Sequence, residues 1–181
     1  MEKNRLEAFS DGVIAIIITI MILELSQPAG GLLKDLLALR PVLLGYLLSF
    51  IFLSIYWVNH HLIFHLTEKI NVKILWCNIA WLFILSFIPF ATAWVGAHPR
   101  QWAPLSFYFA DMSLASIAFH LMYYLITKES GREFRLGPRN IISLIVYFLA
   151  ALLGGFGPVA AYIVVAAVSC WWIVPEKHGD E

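Results

Sequence analysis

The sequence predicts an all-α integral membrane protein, and three observations support this fold class. Hydrophobic residues make up 61% of the 181 residues, charged residues only 13%, and the mean hydropathy is +0.80, whereas soluble domains are about 45–50% apolar and about 25% charged. The formal net charge is zero, which argues against the basic surface that binds nucleic acid. Six apolar runs follow one another along the chain, each close to the roughly 20 residues that a spanning helix needs.

The six runs are separated by short breaks rich in polar residues, glycine and proline. We expect them to form six transmembrane helices of a single domain over residues 1–181, because no connection is long enough to hold a soluble domain. The last two spans are short and share a glycine-rich turn, so they are expected to form a hairpin. The predicted spans are 7–25, 42–64, 73–96, 103–126, 140–156 and 158–174.

The placement of lysine and arginine predicts that both termini are cytosolic. In this orientation only Lys34, Arg40 and Arg100 lie on the outer side, as expected from the excess of basic residues in cytoplasmic loops. The remaining nine of the twelve lie on the cytosolic side: Lys3, Arg5, Lys69, Lys73, Lys128, Arg132, Arg135, Arg139 and Lys177.

Polar residues of the first three spans are predicted to meet at the cytosolic end of the bundle. Facing lipid, such groups would each cost several kcal/mol, so we expect them to bond to one another. They form either a structural clasp between the three helices or a functional site, a proton relay or a binding site, since ionisable residues inside membranes are functional candidates. The residues are Arg5, Ser10 and Asp11 on the first span, Trp57, Asn59, His60, His61 and His65 on the second, and Asn78 and Trp81 on the third.

The middle of the first span carries an apolar stripe. Ile16, Ile20 and Leu23 are spaced i, i+4, i+7 and share one helix face, with Thr19 beside them. An ordinary lipid-facing or packing stripe would look the same. However, β-branched residues with stiff side chains fill most of the segment, and Thr19 is the one polar group in the middle of the helix. At about 100° per residue, Asp11 lies about 140° from Ile16, so it would point into the bundle if Ile16 faced a pore; this favours the clasp.

The sequence offers little support for a metal site or an enzyme. His61 and His65 are spaced i, i+4, but Leu62 stands where a zinc peptidase has its glutamate. Neither a nucleophile elbow nor a phosphate-binding loop is present in the sequence, so we expect no catalytic residue, no metal and no resident cofactor. A proton-coupled secondary transporter that uses the aspartate and histidine cluster stays open as an alternative, although the first span lacks the mid-span break that transporters favour.

The start of the first span matches the pattern R-x-x-x-F-S-D, through Arg5, Phe9, Ser10 and Asp11. This pattern resembles the signature of the transmembrane protein 175 family, potassium channels of endolysosomes that have smaller prokaryotic relatives. Trp57, the pair His60 and His61, and the region of Asn78 also resemble that family's second and third helices.

The resemblance implies a passive, potassium-preferring cation channel whose first helix lines a central pore. It assigns the constriction to Ile16, Ile20 and Leu23 and a potassium-selective layer to Thr19. It assigns to Arg5 and the FSD residues the task of holding the first helix against the next two. Animal members of the family carry two six-helix repeats and dimerise, so one repeat implies a homotetramer in the cell membrane of a prokaryote. The expected partners are K⁺ and other monovalent cations, the lipid bilayer and three further copies of the chain.

Overall fold

A computed structural model describes residues 2–173, and this part of the chain is folded into eight helices without a β-strand. The last residue of the sixth predicted span and the basic residue Lys177 lie outside the described residues. The helices are α1 Lys3–Leu23, α2 Leu33–Leu37, α3 Arg40–Phe64, α4 Val72–Leu85, α5 Ile88–Ala97, α6 Trp102–Glu129, α7 Pro138–Leu153 and α8 Pro158–Ile173.

Each predicted span contains a long helix, but the third span is divided. Helix α4 ends at Leu85, a turn follows at Ser86 and Phe87, and α5 begins at Ile88 with Pro89 in its first turn. Proline has no backbone N–H and its ring clashes with the carbonyl four residues earlier, here that of Leu85. The predicted uninterrupted run 73–96 therefore contains a break at its centre. The short helix α2 in the first connection was not predicted.

Four helical segments in the described part are long and apolar enough to cross a membrane: α1, α3, α4 with α5 taken together, and α6. Helices α7 and α8 are apolar but shorter, with 16 residues each. The chain is therefore a multi-pass membrane protein.

The helices pack around α6, which contacts α4, α5 and α7, while α3 packs along α5 and α8. A buried polar cluster ties three of them together: the Ser49 hydroxyl on α3 lies 2.7 Å from that of Thr92 on α5 and 2.8 Å from that of Tyr108 on α6. Close backbone approach adds to this packing, since a Cβ atom at Gly96 would lie 3.0 Å from the Cα atom of Val42. Small residues at such crossings are how membrane helices come into tight contact.

Candidate functional site

Helix α1 has one buried and one exposed face. It packs against α3, α4 and α5, and its buried residues recur every three or four positions, as expected for one face of a helix. They are Leu6, Ser10, Ile14, Ile17 and Met21. All other sides of α1 are at least partly accessible in the single chain.

The predicted stripe lies on the exposed side. Ile16 is 58% exposed, Ile20 40% and Leu23 80%, and Thr19 is exposed beside them. This stripe runs for about 10 Å along the helix at about 1.5 Å per residue. Large apolar side chains in this position need lipid, another copy of the chain or a narrow pore to face.

The hydroxyl of Thr19 has a defined orientation. It donates a hydrogen bond of 2.9 Å to the carbonyl oxygen of Ile16 on its own helix. A threonine hydroxyl has one proton and two lone pairs, so this bond uses the proton and leaves the acceptor lone pairs for other groups. In the exposed stripe, Thr19 therefore presents an oxygen that accepts rather than donates.

A cleft of about 400 Å³ runs beside the stripe, between α1 and the break that separates α4 from α5. Ile16 and Ile20 form part of one wall, and Ser86, Pro89 and Phe90 form the other. Glu24, directly after α1, also lines it. The exposed stripe and the proline-induced break are thus neighbours in the fold.

Three residues of the predicted clasp form a continuous hydrogen-bonded bridge between α1, α4 and α3. The side-chain amide of Asn78 donates to the Ser10 hydroxyl at 2.9 Å, and its carbonyl oxygen lies 2.9 Å from Nε2 of His60. Ser10 in turn donates to the carbonyl of Leu6. All three are at most 1% exposed, and the His60 ring is stacked on Trp81, with centroids 5.1 Å apart and planes 7° apart. We call this set the Ser10–Asn78–His60 bridge.

A second contact joins α1 to α3 at the surface. The indole N–H of Trp57 donates to a carboxylate oxygen of Asp11 at 2.9 Å. Asp11 does point away from Ile16, but it is exposed rather than directed into the bundle. The reason is that the buried face of α1 is centred near Ser10, about 100° around the helix from Asp11.

The other predicted clasp residues lie outside these contacts. Arg5 and Phe9 are exposed, and the Arg5 side chain makes no hydrogen bond or ion pair with residues 2–173. His61 is also exposed, and its Nε2 atom lies 2.9 Å from that of His65 one turn later. The single chain therefore brings together Ser10, Asp11, Trp57, His60 and Asn78, and leaves Arg5, Phe9 and His61 on its surface.

Asp111 is a buried acid that the sequence-predicted site did not include. It lies in α6, is 6% exposed, and its Oδ2 atom has no hydrogen-bond partner in the described residues. Cys77 contacts Ala118 and Phe90 contacts Phe107 across the α6 surface, so Asp111 stands about level with the break at Ser86. In the sequence, an aspartate inside an apolar run was the signal that could have singled out Asp111 as a candidate residue.

Several apolar segments of spanning length, with a buried polar bridge at one end and an exposed stripe on the first helix, define a multi-pass membrane protein of the transport class. Residues 5–89 match the family described as endosomal/lysosomal potassium channel TMEM175. A potassium channel of Chryseobacterium sp. (strain P1-3) is 39% identical over 98% of this chain and 96% of its own length. The chain belongs to the TMEM175 family.

Two further relatives extend the comparison. The crystal structure of a lysosomal potassium-selective channel TMEM175 homolog from Chamaesiphon minutus has a TM-score of 0.71 and 29% identity, and the match covers 93% of this chain and 96% of that one. The human endosomal/lysosomal proton channel TMEM175 is 31% identical over 56% of this chain, which corresponds to 22% of the human protein.

Replacing Asn78 with leucine is expected to destabilise the fold. The change removes both contacts of the Ser10–Asn78–His60 bridge and leaves His60 buried without its partner, at a cost of about 1–3 kcal/mol per unpaired group. Thermal unfolding of the purified protein in detergent measures the effect. Asn59→Leu is the control, because the Asn59 amide donates only to the Ile55 carbonyl of its own helix. Equal melting temperatures for the two variants would contradict a bridging role for Asn78.

Proposed function

We propose that the protein is a passive, potassium-preferring cation channel, formed by four copies of the chain around a pore lined by α1. The observation that carries this proposal is the exposed stripe on α1, in a chain whose family includes proteins named potassium channels. Because α1 packs on its neighbours through one face alone, its apolar side is free to face an axis shared with other copies. Membership of an ion-channel family is also consistent with a protein that performs no catalysis.

In the proposed arrangement six segments cross the cell membrane of a prokaryote, with α4 and α5 acting as one interrupted span and α7 and α8 as the last two. The N-terminus is cytosolic, which places the Ser10–Asn78–His60 bridge near the cytosolic surface. The bridge, supported by Asp11 and Trp57, holds the start of α1 at a fixed rotation. Arg5, Phe9 and His61 are then available for contacts with neighbouring copies or the membrane surface.

The narrow part of the pore is assigned to Ile16, Ile20 and Leu23. Four copies would place a ring of four side chains at each of three levels, with about 6 Å between the first two rings and about 4.5 Å between the last two. Methyl groups offer a passing ion nothing in place of its hydration water, so the barrier is desolvation. Hydrophobic constrictions of this kind gate by excluding water.

Thr19 is assigned to potassium preference. Its hydroxyl proton is donated to Ile16, so four copies would direct four acceptor oxygens toward the axis between the apolar rings. Oxygen atoms that replace part of an ion's hydration shell are the usual basis of selectivity in cation channels. The permeant K⁺ ion would be a substrate, and no resident cofactor is needed.

The proposal predicts a homotetramer, because one chain with one pore-type helix cannot enclose an axis. Closed rotational symmetry is the usual way in which identical subunits surround a shared centre. Native mass spectrometry of the protein in detergent should show a main species of four chains. A stable monomer or dimer as the main species would rule out the pore arrangement.

Replacing Ile16 with asparagine is expected to increase ion flux and weaken discrimination against sodium, because a polar ring admits water to the constriction. Flux into liposomes and the reversal potential under potassium and sodium gradients measure both effects, without an imposed pH gradient. Ile22→Asn is the matched control, since Ile22 is similarly exposed at 49% but lies about 120° around the helix.

If Ile22→Asn altered flux and Ile16→Asn did not, the stripe would face lipid or protein instead of the pore. If wild-type potassium flux required a proton gradient, the protein would be a proton-coupled transporter, and the channel proposal would fail.

Replacing Thr19 with valine is expected to lower potassium preference without changing the pore width, because the two side chains have nearly the same shape. The measurement is the shift of the reversal potential toward equal potassium and sodium permeability. Thr127→Val is the control: its hydroxyl also donates to its own helix, at Tyr123 and Tyr124, but it is 1% exposed and lies in α6. An unchanged reversal potential in Thr19→Val would remove Thr19 from the selectivity layer.

A further inference from the structure

A second concave surface shares no lining residue with the cleft beside the stripe on α1. It is a groove of about 520 Å³ between α3 and α8, within the size range of roughly 300–1,000 Å³ typical of ligand pockets. Its walls are almost entirely apolar, and no aspartate or glutamate among residues 2–173 lines it. The lining residues that form its length are Leu44, Leu47, Leu48 and Ile51 on α3, and Val159, Ile163 and Ala166 on α8.

Positive charge is concentrated at one end of the groove. Arg40 begins α3, Arg100 precedes α6, and both line the groove and are exposed. Neither side chain makes a hydrogen bond or an ion pair with the part of the chain that the structure describes. Pro158, the first residue of α8, lines the same end, so the positive ends of two helix dipoles add to the charge of the arginines.

The length of the groove corresponds to one leaflet of a bilayer. From Arg40 to Ile51 on α3 the rise is about 16 Å, and from Pro158 to Cys170 on α8 about 18 Å, at about 1.5 Å per residue. Half of a hydrocarbon core of about 30 Å is about 15 Å. An apolar groove of this length that ends at two arginines matches the shape and polarity of a phospholipid. An acyl chain would lie along the helices, and the phosphate would lie at the arginines.

We propose that the groove between α3 and α8 binds an anionic phospholipid, with Arg40 and Arg100 at the headgroup phosphate. Basic pockets between membrane helices on the cytoplasmic side hold anionic headgroups, and the same pairing of arginine with phosphate is available to Arg40 and Arg100 on the outer side. The apolar walls alone would also suit a second copy of the chain, but two arginines with no carboxylate partner among the described residues require an anionic group at the mouth. The charge at the mouth therefore favours the lipid. No residue of α1 lines this lipid site, and the proposal does not depend on the channel proposal.

The test is native mass spectrometry of the detergent-purified protein titrated with phosphatidylglycerol and, separately, phosphatidylcholine. The wild type should retain phosphatidylglycerol in preference. The double variant Arg40→Gln/Arg100→Gln should lose about fivefold in phosphatidylglycerol affinity per arginine, the scale of one basic residue at an anionic surface, with little change for phosphatidylcholine. The control is Lys69→Gln/Arg132→Gln, which removes two exposed positive charges beyond the opposite ends of α3 and α6 and should bind like the wild type.

A second pair of variants tests the apolar part without changing any charge. Ala166→Phe places a ring in the groove and should weaken the binding of phosphatidylglycerol, whereas Ala167→Phe, the exposed neighbour that does not line the groove, should not. Glycerol phosphate, which has the headgroup charge but no acyl chain, should fail to displace the bound lipid.

Three results would overturn the proposal. The first is equal phosphatidylglycerol binding by the wild type and both groove variants. The second is displacement of the lipid by glycerol phosphate, which would identify a simple anion site. The third is a change in subunit number without a change in lipid retention for Ala166→Phe, which would identify the groove as an interface between copies. None of these readouts involves ion flux, so failure here leaves the channel proposal unaffected.

Discussion

The orientation of α1 depends on one requirement, that polar groups buried in an apolar bundle bond to one another. Asn78 meets it by bonding to Ser10 on α1 and His60 on α3 at the same time. Rotating α1 would break the bond to Ser10 and leave buried polar groups unpaired, at a cost of about 1–3 kcal/mol each. Because Ile16 lies about 120° around the helix from Ser10 at about 100° per residue, fixing Ser10 against α4 also fixes where the stripe faces. The bridge thus sets the exposed surface of the helix as well as holding it in place.

The remaining helices provide a rigid frame for that bridge. The hydroxyl cluster of Ser49, Thr92 and Tyr108 joins α3, α5 and α6, on the far side of the break from the Ser10–Asn78–His60 bridge. The two polar clusters lie toward opposite ends of α3, and between them the core is aromatic, with Tyr56 and Trp81 both in contact with Phe119. Asp111 and the break at Ser86 lie at an intermediate level, where the α4–α5 segment is interrupted. Polar clusters therefore join the helices on both sides of the α4–α5 break. The break itself adjoins the cleft beside Ile16 and Ile20.

The sequence predicted the all-helical membrane fold and the contact between Ser10, His60 and Asn78, because apolar runs and the polar residues inside them are strong local signals. The break in the third span could have been predicted from Pro89 alone. Asp11 was placed in the bundle because the helix rotation was inferred from Ile16; the position of Ser10 at the centre of the buried face depends on tertiary packing. The exposed places of Arg5 and Phe9 could not be derived, since the rotation of α1 that exposes them is set by tertiary packing. Asp111 could not be assigned to the polar cluster from the sequence, because its level beside the break at Ser86 follows only from the packing of α6 on α4 and α5.

The length of α7 has a consequence for the surrounding membrane. Its 16 residues extend for about 24 Å. Four residues, 154–157, connect it to α8, so it has little flanking apolar sequence with which to lengthen the span. A hydrocarbon layer of about 30 Å would have to become thinner where it meets this hairpin, whereas α6, with 28 residues, matches or exceeds it on another side. The bilayer around each subunit in the proposed six-span arrangement is then uneven in thickness. Such mismatch sorts proteins among membranes, so this chain should be enriched in thin, fluid regions and excluded from thick, ordered ones.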